Sequence, residues 1–365
     1  MPNTAKMYNN SSLSAILEKY IASQVFVIAD SKVAVDLPYP TLRIESSEAN
    51  KSLASAERIW QFLAEHGATR QAVVVNIGGG MICDLGGFAA ATYMRGIDYI
   101  NVPTTLLAMI DAAIGGKTGV NLGRCADRTK NTEHRLLKNY VGAFRLPKAT
   151  IIDTAFLETL PPEEILSGFG EMLKTGLLHG EKTFAAALQA LDQFYDQNMP
   201  TSSRLKATKK PSLTELINTC KKYKESIVAQ DPEEAGLRKV LNFGHTVGHA
   251  IEEHGIQTAA QTEHRQHGYC VVWGMVAELY LSVVLLGCPR ELLTQMSHVA
   301  VEYFGRPECN CKQQSELVAL MRQDKKNATS GAINFTLLRN AGDPIINQIV
   351  EPPLIEEALD YLFSL

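Results

Sequence analysis

Residues 72–80 read AVVVNIGGG, an apolar run that ends in three consecutive glycines, and the small-residue stretch MICDLGGFAAA follows directly. A short, continuous apolar run of β-branched residues suits a strand buried on both faces, as in a parallel sheet covered by helices. The glycines that follow allow a turn in which backbone amides approach a ligand closely. A pyrophosphate on the N-terminus of the next helix would suit such a turn. The spacing is not G-x-G-x-x-G, so the turn alone reads equally as a tight structural turn or a phosphate cradle.

The surrounding sequence alternates in the same sense. QVFVIAD (24–30) predicts a strand, SLASAERIWQFLAEHG (52–67) an amphipathic helix ended by Gly67, and DYINVPTT (98–105) a further strand. Strands alternating with helices predict an α/β domain with a parallel sheet. In such sheets the carboxyl ends of strands carry ligands, which draws attention to VPTT at 102–105. From Pro161 onward helical periodicity takes over and strand signals nearly vanish. At 365 residues two domains are expected. The reading is an α/β N-terminal Rossmann-like domain at 1–155, closed by the strand ATIIDT, plus an all-α C-terminal domain at 156–365.

The formal net charge of −4 offers no basic footprint for nucleic acid or an anionic membrane. An anionic substrate must then meet a local cluster of cations. No apolar run of about 18 residues is read, so no membrane span is expected. The N-terminal segment lacks the apolar centre of a secretion signal. The seven cysteines are scattered, Cys309 and Cys311 forming a lone C-x-C, and a reducing cytoplasm is the expected location.

Two groups of residues carry chemistry. Between 84 and 139 the chain places Asp84, Arg95, Asp111, Lys117, Lys138 and Asn139 near loop signals, with Lys117 directly after a Gly-Gly pair. Lys117 alone reads as an exposed loop lysine. Together with Lys224, Arg238, Lys325 and Lys326 it reads as part of a clamp for phosphate and carboxylate. In the second group, LNFGHTVGHAIEE sets His245 and His249 one helical turn apart, so that both imidazoles share a face. His267 precedes a helix, and GFGEMLKTG offers Glu171 with Lys174 three residues later. Histidines with one carboxylate suit a catalytic zinc-type site, while each histidine alone could be a hydrogen-bonded structural residue.

Taken together, GGGMICDLGGFAAATYMRG, VPTTLLAMIDAAIGGKTGVN, KNYVGAF, LETLPPEE, GEMLKTG, DPEEAGLRKVLNFGHTVGHA, HGYCVVWGM and QDKKNATSGAINF resemble the dehydroquinate synthase family of sugar-phosphate cyclases. The resemblance implies a Rossmann-like domain followed by a helical one, with NAD as a recycled cofactor and a divalent metal, zinc or cobalt. It implies conversion of 3-deoxy-D-arabino-heptulosonate 7-phosphate to 3-dehydroquinate and phosphate, a step of the shikimate pathway. It also implies a homodimer whose partners are a small sugar phosphate and neither nucleic acid nor membrane.

By the same resemblance the metal ligands are Glu171, His245 and His267. His249 faces substrate instead, and His264 is the rival for the third ligand. NAD contacts are Glu48 and Lys51 for the ribose, Gly79 and Gly80 for the pyrophosphate, and Asp84, Thr104, Thr105, Leu107, Asp111, Lys138, Asn139, Phe156, Thr159 and Leu160. Substrate contacts are Arg95, Lys117, Asn139, Lys174, Lys224, Arg238, Asn242, His249 and one or both of Lys325 and Lys326.

This chain departs from the family pattern twice. The segment GRCADRTKNTEHRLL lengthens the run between Lys117 and Lys138, introduces a competing Lys130-Asn131 pair, and predicts a surface insertion at 124–137. HGYC also stands where many relatives have H-G-E. The rival functions are a sibling cyclase acting on another sugar phosphate, and a metal-dependent polyol phosphate dehydrogenase with net NADH production. A third is a catalytically dead paralogue.

Overall fold

The computed structural model describes Leu13, Leu17 and residues 24–125, 135–198, 212–257, 266–307, 309–322 and 332–365. The expected contacts Lys325 and Lys326, the rival ligand His264, the Lys130-Asn131 pair and most of the 124–137 segment lie outside those residues.

The apolar runs form a five-stranded parallel sheet in the order β2-β1-β3-β4-β7. Its strands are β1 (Val25–Asp30), β2 (Thr41–Ile44), β3 (Val73–Gly78), β4 (Asp98–Pro103) and β7 (Ala149–Thr150). β1 and β3 are buried along their whole length, as continuous apolar runs require. Helix α1 (Leu53–Glu65) starts where the Ser52 hydroxyl accepts the Ser55 amide, and it buries Ala56, Ile59 and Leu63. Helix α2 (Gly80–Thr92) starts at the glycine turn and buries Ile82, Leu85, Phe88 and Ala89. These faces meet Phe26, Ile28 and Val74 in one core.

Register then positions the two ligand-type loops. Gly78 pairs with Pro103, and the Thr104 amide donates to the Gly78 carbonyl at 3.0 Å. The glycine turn and the Thr-Thr loop are therefore neighbours at the carboxyl end of the sheet. A Cβ on Gly79 would stand 3.1 Å from Thr105 Cγ2, so the two segments touch.

Two sequence expectations need correction. Lys117 is not in a loop: it opens β5 (Lys117–Cys125), which pairs antiparallel with β6 (Arg135–Phe144). Register shifts between Val120 and Leu122, and again before Cys125, break the alternation that would mark a strand. The chain divides into two compact units, Met1–Leu160 and Pro161–Leu365, and the short 3-10 helix Thr154–Thr159, with Phe156 and Leu157 buried, belongs to the first. The second unit is also not all helix. It adds a hairpin of β8 (Ile333–Asn340) and β9 (Asp343–Val350).

The second unit is built on α3 (Pro162–His179), α4 (Glu181–Asn198), α5 (Leu213–Gln230), α6 (His245–Gln257), α7 (His267–Leu286), α8 (Arg290–Val299), α9 (Gln314–Arg322) and α10 (Pro352–Ser364). α7 is its central helix. It is 20 residues long and apolar enough to cross a membrane by length and composition, a run the sequence reading passes over. Most of its apolar stretch is buried inside the protein, the position of a core helix. The hairpin braces this core: Leu338 N–H donates to Ser282 on α7, Thr246 on α6 donates to the Asn334 carbonyl, and Thr336 donates to the Lys239 carbonyl.

Candidate metal centre and cofactor-binding residues

Glu171 is drawn beside His267 by a close helix crossing. A Cβ on Gly170 of α3 would stand 2.3 Å from the Gly268 carbonyl of α7, and one on Gly268 would stand 1.8 Å from the Ser167 carbonyl. Neither position admits a larger residue without moving a helix. The Ser167 hydroxyl accepts the Gly268 amide at 3.1 Å and secures the crossing.

Glu171 Oε1 lies 3.2 Å from His245 Nε2 and 3.1 Å from His267 Nε2. Each ring is oriented from its far side. His245 Nδ1 lies 3.0 Å from the Phe243 carbonyl, and His267 Nδ1 lies 3.2 Å from Glu252 Oε2. A carbonyl or carboxylate accepts only an N–H, so Nδ1 carries the proton and Nε2 offers a lone pair to the centre. Two imidazole lone pairs and a carboxylate oxygen within hydrogen-bond distance repel one another unless a proton or cation lies among them. This donor set fits zinc or cobalt, and the residues present fit the metal.

The charges are tuned to match. Burial would raise the Glu171 carboxyl, but Lys174 and the two imidazoles reverse this and hold it well below the usual range. Burial, aided by Lys174, pushes His245 down to about 3 and keeps its imidazole neutral. Burial also opposes the charged form of His267, yet Glu252 and Glu171 push it up to about 10.

His249 completes a triangle of imidazoles. Its ring centroid is 5.1 Å from that of His245 and 5.7 Å from that of His267. One nitrogen from each of the three rings falls within 4.8 Å of the others, so His249 borders the centre whichever set binds.

The second unit also holds buried cations, one of them beside Glu171. Lys174 Nζ sits 2.5 Å from Glu171 Oε2 and donates to the Leu241 carbonyl at 3.1 Å, with its side chain 1% exposed. Lys224 on α5 and Arg238 are also buried, Arg238 donating to the Pro232 carbonyl at 2.6 Å. Asn242 donates to Glu234 at 2.8 Å, which adds a carboxylate the sequence reading did not single out.

The first unit gathers a second set. Lys51 pairs with Asp84 at 2.6 Å, and Lys138 approaches Glu48 at 3.8 Å. Asn121 links them. Its Nδ2 donates to Glu48 Oε2 at 2.8 Å, and its Oδ1 accepts the Asn139 amide at 3.0 Å. Asn139 sits at φ 53°, a left-handed conformation that needs such a hold. Gly79 and Gly80 open α2 beside Thr104 and Thr105. Leu107 and Asp111 belong to the following turn and π-helix Ala108–Ala112. Phe156 is buried, Leu160 half-buried and Thr159 exposed; Arg95 and Lys117 are exposed at the surface.

Sequence reasoning missed Glu252, Asn121 and Glu278. Glu252 lies seven residues after His245 and three after His249, hence on one helix face, and that spacing was the available signal. Glu278 is the single Asp, Glu, Lys or Arg of α7, a signal of its own kind.

Comparison with known proteins accords with this geometry. The family model for the 3-dehydroquinate synthase N-terminal region matches residues 41–167, and the C-terminal one matches 168–327. The 3-dehydroquinate synthase of Parabacteroides distasonis is 40% identical over 362 residues, covering 96% of this chain and 94% of the relative. That of Alkaliphilus metalliredigens is 33% identical, covering 95% and 87%. Among solved structures, 2-epi-5-epi-valiolone synthase from Streptomyces hygroscopicus, with NAD+ and Zn2+ bound, superposes with a TM-score of 0.76 at 22% identity over 95% of this chain and 93% of its own. A 2-deoxy-scyllo-inosose synthase complexed with carbaglucose-6-phosphate, NAD+ and Co2+ gives 0.73 at 23% identity, covering 97% and 95%. At these identities the structures establish the shared fold. With both family regions matched and identity of 40% across nearly the whole of both chains, this protein belongs to the 3-dehydroquinate synthase family.

Proposed function

We propose that the chain is a lyase that converts 3-deoxy-D-arabino-heptulosonate 7-phosphate to 3-dehydroquinate and inorganic phosphate, a step toward aromatic amino acids. The observation that carries this reading is the convergence of His245 Nε2 and His267 Nε2 on one oxygen of Glu171, at 3.2 and 3.1 Å, in a chain of this family. Glu171, His245 and His267 would hold the divalent metal. Glu48, Lys51, Gly79, Gly80, Asp84, Thr104, Thr105, Lys138 and Asn139 would hold NAD, with Leu107, Asp111, Phe156, Thr159 and Leu160 completing its pocket. When bound, NAD supplies a reversible oxidation of a substrate alcohol and the metal supplies Lewis acidity toward its oxygens.

The protein's own residues do the rest. Lys174, Lys224 and Arg238 are fixed cations with little freedom left to lose, suited to orient phosphate and carboxylate. Asn242 holds hydroxyls from its tie to Glu234. His249, beside the centre but on its rim, moves or holds a proton at a substrate oxygen. Arg95, Lys117 and Asn139 would also contact substrate. The enzyme works as a homodimer in the cytoplasm, where thiols such as that of Cys83 stay reduced.

Phosphate release from the heptulosonate phosphate, followed with catalytic NAD+ and Zn2+ or Co2+, tests the reading. Phosphate should accumulate while absorbance at 340 nm stays flat. Stoichiometric NADH production would assign a polyol phosphate dehydrogenase instead, and inactivity on this substrate with turnover of another sugar phosphate would assign a sibling cyclase.

A further inference from the structure

The first amides of a helix have no partner inside it, and a helix whose first residue is to hold an ion must have that end anchored. α6 begins at His245, and its first amides are met by a side chain from another helix. Glu278 Oε2 accepts the Gly244 amide at 2.6 Å, and Oε1 accepts those of Thr246 and Val247 at 3.0 and 3.3 Å. The backbone of His245 is thus bracketed on both sides by one carboxylate.

Glu278 is 0% exposed in the middle of the apolar helix α7. A carboxylate there is costly unless it is hydrogen-bonded, and three amides at the positive end of α6 supply that compensation. The approach is close: a Cβ on Gly274, one turn before Glu278, would stand 2.0 Å from the Gly244 carbonyl. Gly244 itself has φ +77° and no room for a side chain, since a Cβ would meet Met275 Cγ at 2.6 Å. Backbone contact at Gly244 and carboxylate contact at Glu278 therefore fix the same end of α6.

The other end of the relationship is His267, the first residue of α7. His267 and Glu278 are separated by about three helical turns, so they lie along one face of a straight rod. α7 supplies one imidazole directly and sets the place of the other through Glu278.

We infer that Glu278 is a positioning residue for the metal centre, holding His245 Nε2 at the spacing from His267 Nε2 and Glu171 Oε1 that a divalent ion requires. This rests on the metal-centre reading above. It predicts that the geometry of the bound ion depends on a carboxylate that does not touch it.

The test uses full-length protein stripped of metal and titrated with Co2+ against a competing chelator, with the visible absorption of the Co2+ form recorded. Glu278→Ala would leave buried amides bare and endanger folding, so Glu278→Gln, of equal shape with one acceptor oxygen, carries the test. Its Co2+ dissociation constant should rise about tenfold or more, the effect of losing an outer partner of a ligand, with altered absorption bands. Glu278→Asp, which keeps the charge, should recover part of the affinity. A Glu278→Gln protein that melts earlier but binds Co2+ with wild-type affinity and bands would overturn the inference and leave Glu278 a structural cap. Wild-type protein that fails to bind one Co2+ per chain would remove the metal-centre reading, and the inference with it.

Discussion

His267 is held between two carboxylates: its Nδ1 lies 3.2 Å from Glu252 Oε2, and its Nε2 lies 3.1 Å from Glu171 Oε1. In the proposed metal centre the two acids would have different tasks. Glu171 would share the ion with His267, whereas Glu252 would set the ring's tautomer and angle from behind. Replacing Glu252 by Gln keeps the size and removes the charge. Metal affinity in this variant should fall about 10- to 100-fold, with secondary structure intact by circular dichroism. Wild-type affinity would show that Glu252 does not orient the ring.

Sequence reasoning reached this protein unevenly, for physical reasons. The run AVVVNIGGG is legible because a strand buried on both faces leaves a continuous apolar signature, and β3 is Val73–Gly78. β5 is not, because Gly119 and Gly123 weaken its pattern and its register shifts twice against β6. The hairpin Ile333–Val350 was hidden by the helical texture around it. At the centre, helical spacing alone pairs His245 with His249. Glu171 enters through the Gly170–Gly268 crossing, which no local spacing reveals. Glu278 acts through backbone amides, and Asn121 through one as well as through Glu48, so the amide partners leave no trace in side-chain type.

Asn121 offers a prediction in the first unit. It bonds both Glu48 and the backbone of Asn139, whose φ of 53° is unfavourable for a residue with a Cβ. Asn121→Ala removes both ties at once. NAD affinity should fall roughly tenfold, the loss expected for one or two buried hydrogen bonds. Metal binding, proposed for residues of the second unit, should be unchanged. Equilibrium NAD titration and Co2+ titration of the same preparation read the two effects. Unaltered NAD binding would remove Asn121 from any role in the cofactor residues.

Asp231 predicts a pH dependence. Its carboxylate accepts the amides of Arg238, Gly236 and Ala235 at 2.9, 2.8 and 2.9 Å, the Arg238 bond contributing most, and its carboxyl is held below the usual range. A carboxyl depressed in the folded state stabilises it above the unfolded value, about 3.9 for Asp, and that contribution is lost as pH falls through the folded value. Asp231→Asn should therefore melt below wild type at pH 7, and the gap should close on acidification below about pH 4. A gap that stays constant across this range would show that charge on Asp231 contributes nothing.

The choice of metal ligands can be decided between His249 and Glu171, since both candidate sets share His245 and His267. Three imidazoles within 4.8 Å could hold an ion without the acid. Glu171, however, is fully buried and faces two Nε2 atoms at once, at 3.1 and 3.2 Å. A carboxylate in that position is compensated best by a cation among the three atoms. His267→Ala should lose the metal on either account. His249→Ala should retain about one metal per chain and lose about 100-fold or more in turnover, because a proton-handling group has gone while the centre survives. Glu171→Gln should lose metal, since a neutral amide is a poor ligand beside two imidazoles. Metal content of the three purified proteins, measured beside their rates, separates the sets. Metal-free His249→Ala with metal-replete Glu171→Gln would transfer the ion to the three histidines and leave Glu171 as the partner of Lys174.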